Sequence, residues 1–203
     1  MRVVFIRHLC TPGNEKRQYI GRTDEDLSPR AAEALRLRLR ENPGGIYPAV
    51  QCVVSSPLKR CIRTAGLIYP GQEPVIEPML RECDFGEYEG KTYEELKDRP
   101  EYIRWLESGG MTAFPGGEEQ TDFRRRCACG VENQIDRLID EGAESAAFVV
   151  HGGTIMAALS GLAEHPCDFY RWQAENGGGY TAEVSEKEWK SGGKILRNIK
   201  KIF

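Results

Sequence analysis

An arginine and a histidine, Arg7-His8, follow directly on the apolar run Val3-Val4-Phe5-Ile6, and a second histidine, His151, follows directly on Ala146-Ala147-Phe148-Val149-Val150. Arg60 lies just past a third such run, Gln51-Cys52-Val53-Val54, which ends at Ser55-Ser56-Pro57. Two arginines and two histidines around one point make a site for a dianion. A guanidinium fork takes two phosphoryl oxygens at once and stays charged at neutral pH. Guanidinium groups beside an imidazole disfavour its protonated form, so His8 keeps a ring nitrogen free to attack phosphorus, giving a phosphohistidine. The leaving alkoxide then needs a proton, and Glu82 is the best-placed carboxyl group to supply it.

These side chains meet only if the three runs are neighbouring strands. Short apolar runs rich in β-branched residues read as strands buried on both faces, the pattern of parallel sheets. Each is followed by a helical pattern after a tight connection, which implies right-handed crossovers and puts the three strand ends on one sheet edge, where α/β proteins bind ligands. Ser28-Pro29 starts a helix carrying Ala32, Leu35 and Leu39, and Asn42-Pro43-Gly44-Gly45 stops it. The next helix is expected to take Ser56 as N-cap and Pro57 as first residue, and to bury Leu58, Cys61, Ile62, Ala65 and Ile68. Arg60 falls off that stripe beside Thr64, and a cation in a first helical turn opposes the macrodipole unless an anion shares the site.

Residues 12–27 read as a long loop, and Val75-Ile76 as a short strand with Glu82 at its end. From Thr92 to Gly110 two short helices, packing through Tyr93, Leu96, Tyr102, Trp105 and Leu106, form an excursion over the sheet edge. The longest periodic segment, Phe123, Cys127, Val131, Ile135, Leu138 and Ile139, is a scaffold helix. Beyond Pro166, the turn Asn176-Gly177-Gly178-Gly179 leads into Tyr180 to Val184, and Ile195 to Ile202 forms a closing strand antiparallel to its neighbour.

At 203 residues and 40% hydrophobic, the chain can bury one sizeable core, so a single domain over 1–203 is expected. A formal net charge of -3 leaves no basic field to attract nucleic acid or an anionic membrane, and any anion preference must be local. No apolar run approaches a membrane span, and the chain opens on a strand pattern rather than a leader, so a cytoplasmic protein is expected. Seven cysteines, an odd number scattered within elements, fit reduced thiols. Cys127 and Cys129, two apart on a helix, point about 200° apart, so they are assigned to packing and no metal is expected.

The segments carry a resemblance. Arg7-His8-x-x-Thr11 with Asn14, Tyr19-Ile20-Gly21-Arg22-Thr23-Asp24-x-x-Leu27-Ser28, Ser55-Ser56-Pro57-Leu58-x-Arg60-x-x-x-Thr64-Ala65, Leu80-x-Glu82-x-x-Phe85-Gly86-x-x-Glu89-Gly90, Pro115-Gly116-Gly117-Glu118 and Val150-His151-Gly152-Gly153-Thr154 resemble the histidine phosphatase superfamily in order, from residue 3 to about 160. Within it the chain is most similar to α-ribazole phosphatases of cobalamin biosynthesis and related broad-specificity phosphatases. The resemblance implies the α/β, three-layer phosphoglycerate mutase-like sandwich, with a mostly parallel central sheet and helices on both faces. It implies His8 as the phosphorylated nucleophile, Glu82 as proton donor and then base, and Arg7, Arg60 and His151 around the phosphoryl group. Asn14, Gly21 and the Gly152 N–H would assist in substrate binding.

It further implies hydrolysis without metal or cofactor of a small phosphorylated metabolite, α-ribazole 5′-phosphate or another, with no nucleic-acid or membrane partner and with a homodimer left open. The arginine-rich insertion of the mutase branch is absent, which favours phosphatase over the alternative, a cofactor-dependent phosphoglycerate mutase. One departure stands out: where the family has glycine and then glutamate or glutamine after the nucleophile, this chain has Leu9 and Cys10. Leucine there is expected to strain or crowd the loop, and the second alternative is a catalytically weak phosphate-binding homologue. Cys10, beside cationic groups, is expected to have a lowered pKa or to be inert packing. The surface that selects the leaving group is expected in residues 12–27 and 92–115.

Overall fold

In the computed structural model, which describes residues 1–43, 45–165 and 167–203, the three apolar runs pair side by side as strands. Gly44 of the expected helix stop and Pro166 lie outside the described residues. Strands β1 (Arg2–Arg7), β2 (Cys52–Ser55), β3 (Val75–Ile76), β4 (Ser145–Val150), β5 (Gly179–Glu183) and β6 (Arg197–Ile202) form one sheet in the order β3-β2-β4-β1-β5-β6. The first four strands in that order are mutually parallel, and β5 pairs antiparallel with both β1 and β6. Arg7 lies opposite Val150 and Ser55 opposite Val149, so the chain leaves the sheet at His8, Ser56 and His151 on one edge.

Alternation along these strands builds two cores. Val3, Phe5, Val54, Ala146, Phe148 and Val150 face one side, and Val4, Ile6, Val53, Ala147 and Val149 the other. Each of the buried valines, isoleucines and phenylalanines contributes about 1.5–3 kcal/mol. The first face is covered by α6 (Gln120–Asp140) and α7 (Gly152–Leu162), through Val131, Ile135, Leu138, Ile155 and Leu159. The second is covered by α2 (Pro29–Glu41), capped by Ser28 as its sequence requires, and α3 (Lys59–Ile68), through Leu35, Cys61, Ala65 and Ile68.

Several boundaries differ from expectation. The first helix, α1 (Pro12–Glu15), is a single capped turn inside the stretch expected to be all loop, because Thr11 and Asn14 form a reciprocal capping box. Helix α3 starts at Lys59, not after Ser56, because Leu58 is still extended, at φ −79° and ψ 140°, and is itself the N-cap. Ile62 of its expected buried stripe is 36% exposed. A 3₁₀ turn over Pro78–Leu80 separates β3 from Glu82, which therefore sits in a loop rather than at a strand end. The excursion contains α4 (Tyr93–Leu96) and α5 (Pro100–Glu107), whose Leu96, Tyr102 and Trp105 pack with Tyr19, Tyr88 and Phe114. Tyr93 and Leu106, expected to pack as well, are 51% and 45% exposed. A last helix, α8 (Glu186–Lys190), joins β5 to β6 in place of a tight hairpin. No helix among the described residues is long and apolar enough to cross a membrane.

Candidate active site

The parallel register brings His8 and His151 to a ring-centroid separation of 5.2 Å, edge to face. The backbone N–H of His8 continues the ladder to Val150 O at 2.9 Å, which fixes where its side chain starts. Its Nδ1 lies 2.7 Å from Leu9 O. A carbonyl only accepts, so Nδ1 carries the proton and Nε2 keeps its lone pair. Burial, then Arg60 and Arg7, hold the ring well below the ordinary histidine range, so it stays neutral and nucleophilic.

His151 is fully buried, and both of its ring nitrogens are engaged within the protein. Arg60 Nε donates to Nδ1 at 3.2 Å, which places the proton of the neutral ring on Nε2, 2.7 Å from Ser56 Oγ. The expected direct reach of His151 to a phosphoryl oxygen is therefore not its arrangement here. It orients Arg60 and packs beside the His8 ring. Burial comes first, and Arg60 next, in pushing its pKa down.

Arg60 is fully buried, not a solvated surface residue. Its Nη1 donates to Thr23 O at 2.7 Å and its Nη2 to Gly21 O at 2.8 Å. With Nε on His151, all three nitrogens have protein acceptors, so the fork is not wholly free for a phosphoryl group as expected. None of these acceptors is a carboxylate, and Arg60 makes no ion pair among the described residues. Its positive charge is satisfied only by dipoles. Arg7 is similar: Nη1 donates to Ala174 O at 2.8 Å, while the buried Nε has no partner among the described residues. Two guanidinium groups that make no ion pair among the described residues leave this edge attractive to an anion.

Glu82 is 9% exposed and accepts from Cys83 N and from Gly153 N, each at 3.0 Å. Burial raises its pKa, and those two N–H groups and the arginines offset part of the rise. Arg7, Glu82, Gly152 and Gly153 line one wall of a cavity of about 470 Å³ at the start of α7. A Cβ on Gly152 would lie 3.4 Å from the Arg7 guanidinium, so the helix end and the arginine face the same space.

Sequence reasoning missed what holds Glu82. Arg126, one exposed-looking arginine of three in a row, turns inward from α6 and donates to Met79 O at 2.6 Å and Arg81 O at 3.0 Å. It also pairs with Glu118 at 2.7 Å, both side chains largely buried. Gly130, one helical turn on, lets the 78–80 turn approach α6 closely: a Cβ there would lie 2.9 Å from Met79 Cβ. Asn176 was legible only as a turn residue, yet its amide donates to His8 O at 3.0 Å and to Asn14 Oδ1 at 3.2 Å.

Asn14 thus sits beside the His8 backbone, its oxygen occupied by Asn176 and by Thr11 N. Gly21 supports Arg60 instead of lining the cavity, with its N–H on the Glu89 carboxylate at 3.1 Å. A Cβ at Gly21 would lie within 1.9 Å of Cys83 O. Gly21→Ala is expected to cost about 1–3 kcal/mol, seen as a lower urea midpoint, and to reduce phosphate affinity because the Arg60 carbonyl cradle shifts.

Leu9 does not strain the loop. Its φ is not among the positive ones, its N–H donates to Thr64 Oγ1 at 3.0 Å, and its side chain is buried with Val4, Ile6 and Leu27. The leucine points away from the cavity into the core, which answers the expected crowding. For Cys10 the lowered pKa is not found, because burial and the nearby Glu15 push its thiol pKa up and outweigh Arg7, which leaves the other expectation, an inert thiol.

The two neutral histidines give the fold a pH dependence. Between the ordinary histidine value of 6.5 and their lowered native values, the unfolded chain binds more protons than the native one, so stability falls as pH falls. Each contributes up to about 1.4 kcal/mol per pH unit. Glu82 acts with opposite sign, since its raised native pKa lets the native state hold a proton the unfolded chain has lost above 4.5. Urea denaturation between pH 7 and 5 is expected to show decreasing stability, less steeply in His8→Asn.

The histidine phosphatase superfamily (branch 1) pattern matches residues 3–199. The chain is 31% identical over 168 residues to a broad-specificity phosphatase of Saccharomyces cerevisiae, covering 80% of this chain and 70% of that protein. It is 28% identical over 195 residues to a glucosyl-3-phosphoglycerate phosphatase of Mycolicibacterium vanbaalenii, covering 90% and 82%. The crystal structure of the α-ribazole phosphatase from Shigella flexneri superposes with a TM-score of 0.78 at 22% identity, over 97% of this chain and 94% of that one, a likeness of fold. A family pattern that runs from β1 into β6 accounts for the strand-end histidines and the buried arginine together: the chain belongs to the histidine phosphatase superfamily and has its phosphoglycerate mutase-like fold.

Proposed function

We propose that the protein hydrolyses small phosphomonoesters through a phosphohistidine at His8. The observation that carries this is a neutral, tautomer-locked His8 beside two guanidinium groups that have no carboxylate partner. In the first step Nε2 of His8 attacks phosphorus, the bond from phosphorus to the leaving oxygen breaks, and the protonated Glu82 gives that oxygen its proton. In the second, Glu82 takes a proton from water as the water oxygen attacks phosphorus, the P–N bond breaks, and orthophosphate leaves with His8 neutral again. Arg7, Arg60 and the Gly152 N–H at the start of α7 stabilise the equatorial oxygens, a role for which this mechanism calls on no metal. The two relatives named as phosphatases support hydrolysis over transfer to a second hydroxyl.

Incubation with p-nitrophenyl phosphate and a denaturing quench is expected to trap an acid-labile, base-stable phosphoryl group on His8. Steady turnover with no such adduct, retained in His8→Ala, would overturn the mechanism. A panel of phosphorylated metabolites that includes α-ribazole 5′-phosphate ranks the substrates.

A further inference from the structure

Glu89 ends the turn that begins at Phe85, and its carboxylate accepts from five donors: Gly21 N at 3.1 Å, Arg22 N at 3.0 Å, Thr23 N at 3.4 Å, Thr23 Oγ1 at 2.7 Å and Phe85 N at 3.2 Å. Three successive backbone N–H groups thus converge on one anion. The other ends of two of those peptide groups point at Arg60. A trans peptide holds its N–H and C=O on opposite sides of one rigid plane, and no described peptide bond is cis. The peptide joining Gly21 to Arg22 gives its N–H to Glu89 and its C=O to Arg60 Nη2, at 2.8 Å. The peptide joining Ile20 to Gly21 does the same, with its C=O 3.4 Å from that Nη2. Thr23, tied to Glu89 through its hydroxyl, offers its own C=O to Nη1 at 2.7 Å. A Cβ on Gly21 would lie 2.5 Å from Glu89 Oε1, so only glycine admits the carboxylate this closely.

We infer that Glu89 is a positioning residue for Arg60, acting through these peptide groups, which it orients and whose carbonyls it polarises toward the guanidinium. The inference rests on the reading that Arg60 grips the phosphoryl group. Arg60 is fully buried and makes no ion pair among the described residues. A carboxylate bonded to it directly would compete with a bound phosphoryl group. Set one peptide away, Glu89 holds the arginine without bonding the guanidinium itself. The Arg22–Asp84 ion pair joins the same two segments, but it is exposed and adds little.

The test compares orthophosphate affinity, by calorimetry, in the wild type, Glu89→Gln, Arg60→Met and the double variant. Glu89→Gln is expected to weaken orthophosphate by about threefold to thirtyfold and to lower kcat/KM for p-nitrophenyl and alkyl phosphates by the same factor, since Glu82 is untouched. The sign discriminates, because loss of a negative charge that merely sat nearby would tighten an anion. In the Arg60→Met background the second change is expected to cost nothing more. A readout that needs no ligand is the Arg60 Nε–H, buried against His151, whose ¹⁵N–¹H signal is expected to exchange with water at least about tenfold faster in Glu89→Gln. Glu95→Gln, which removes a carboxylate from the neighbouring cap at Thr92, should leave it unchanged. Should Arg60→Met not fold, this exchange comparison decides alone. A lower urea midpoint in Glu89→Gln with orthophosphate affinity unchanged or tighter would make Glu89 a loop stabiliser and overturn the assignment, while leaving hydrolysis through His8 intact. Unchanged affinity in a folded Arg60→Met would instead overturn the place of Arg60 at the phosphoryl group, and the assignment with it.

Discussion

Replacing His8 with alanine is expected to lower turnover of every phosphomonoester by about 10⁴-fold or more, because the step that divides the reaction in two is lost. The fold should survive. His8 is held through its backbone, N–H to Val150 O and C=O to Asn176, and its side chain makes one hydrogen bond, to Leu9 O. Circular dichroism and the urea midpoint check that, and phosphate affinity provides a second readout. Arg7 and Arg60 remain in place in this variant, so orthophosphate should still bind. A His8→Ala protein that keeps more than a small fraction of turnover would mean that water attacks phosphorus directly.

Glu82→Gln is expected to divide substrates by how much their leaving group needs a proton. Alkyl phosphates should lose about 10²- to 10⁴-fold in kcat, the usual range for a general acid, whereas p-nitrophenyl phosphate should lose far less in its first step. The pH profile carries the same information. Burial raises the Glu82 pKa, so the protonated acid persists above the usual carboxylate range and kcat/KM falls as pH rises through the raised value. Burial and the arginines lower the His8 pKa, so the free base persists below 6.5 and the acid limb moves down. The alkaline limb should disappear in Glu82→Gln, and ionisation of the substrate's own phosphate, common to both enzymes, cancels in the comparison. Arg126→Met should show the same leaving-group pattern in smaller degree, since it releases the carbonyls of Met79 and Arg81 without touching the carboxyl group itself. An equal loss for all leaving groups would make Arg126 a general stabiliser and no more.

Much of this arrangement could be read from one dimension. Apolar runs that stop at polar residues mark strand ends, and the parallel crossover rule alone put Arg7, His8 and His151 on a common edge, as the register of β1 with β4 bears out. The scaffold helix, the Ser28 cap and the antiparallel closing strand were equally legible, because periodicity and capping are local properties of the chain. What stayed hidden was where each polar group spends its hydrogen bonds. Ser56 looked like a helix cap, and in space it is the partner of His151. Leu9 looked like an obstruction, yet its direction is set by the packing of Val4, Ile6 and Leu27. Arg126 stood in an anonymous run of charges until α6 was seated on the 78–80 turn.

The order of elements and the chemistry of the strand ends were thus determined by the sequence itself, since both follow from residue type and spacing along the chain. The tertiary structure decided which nitrogen of each histidine carries the proton, which arginines lack an ion pair among the described residues, and which distant segment, Gln173 to Glu175 with Lys201, shares a cavity with Arg7 and Glu82. Those depend on contacts between residues up to 168 positions apart, as in the bond from Asn176 to His8, and no local pattern specifies them.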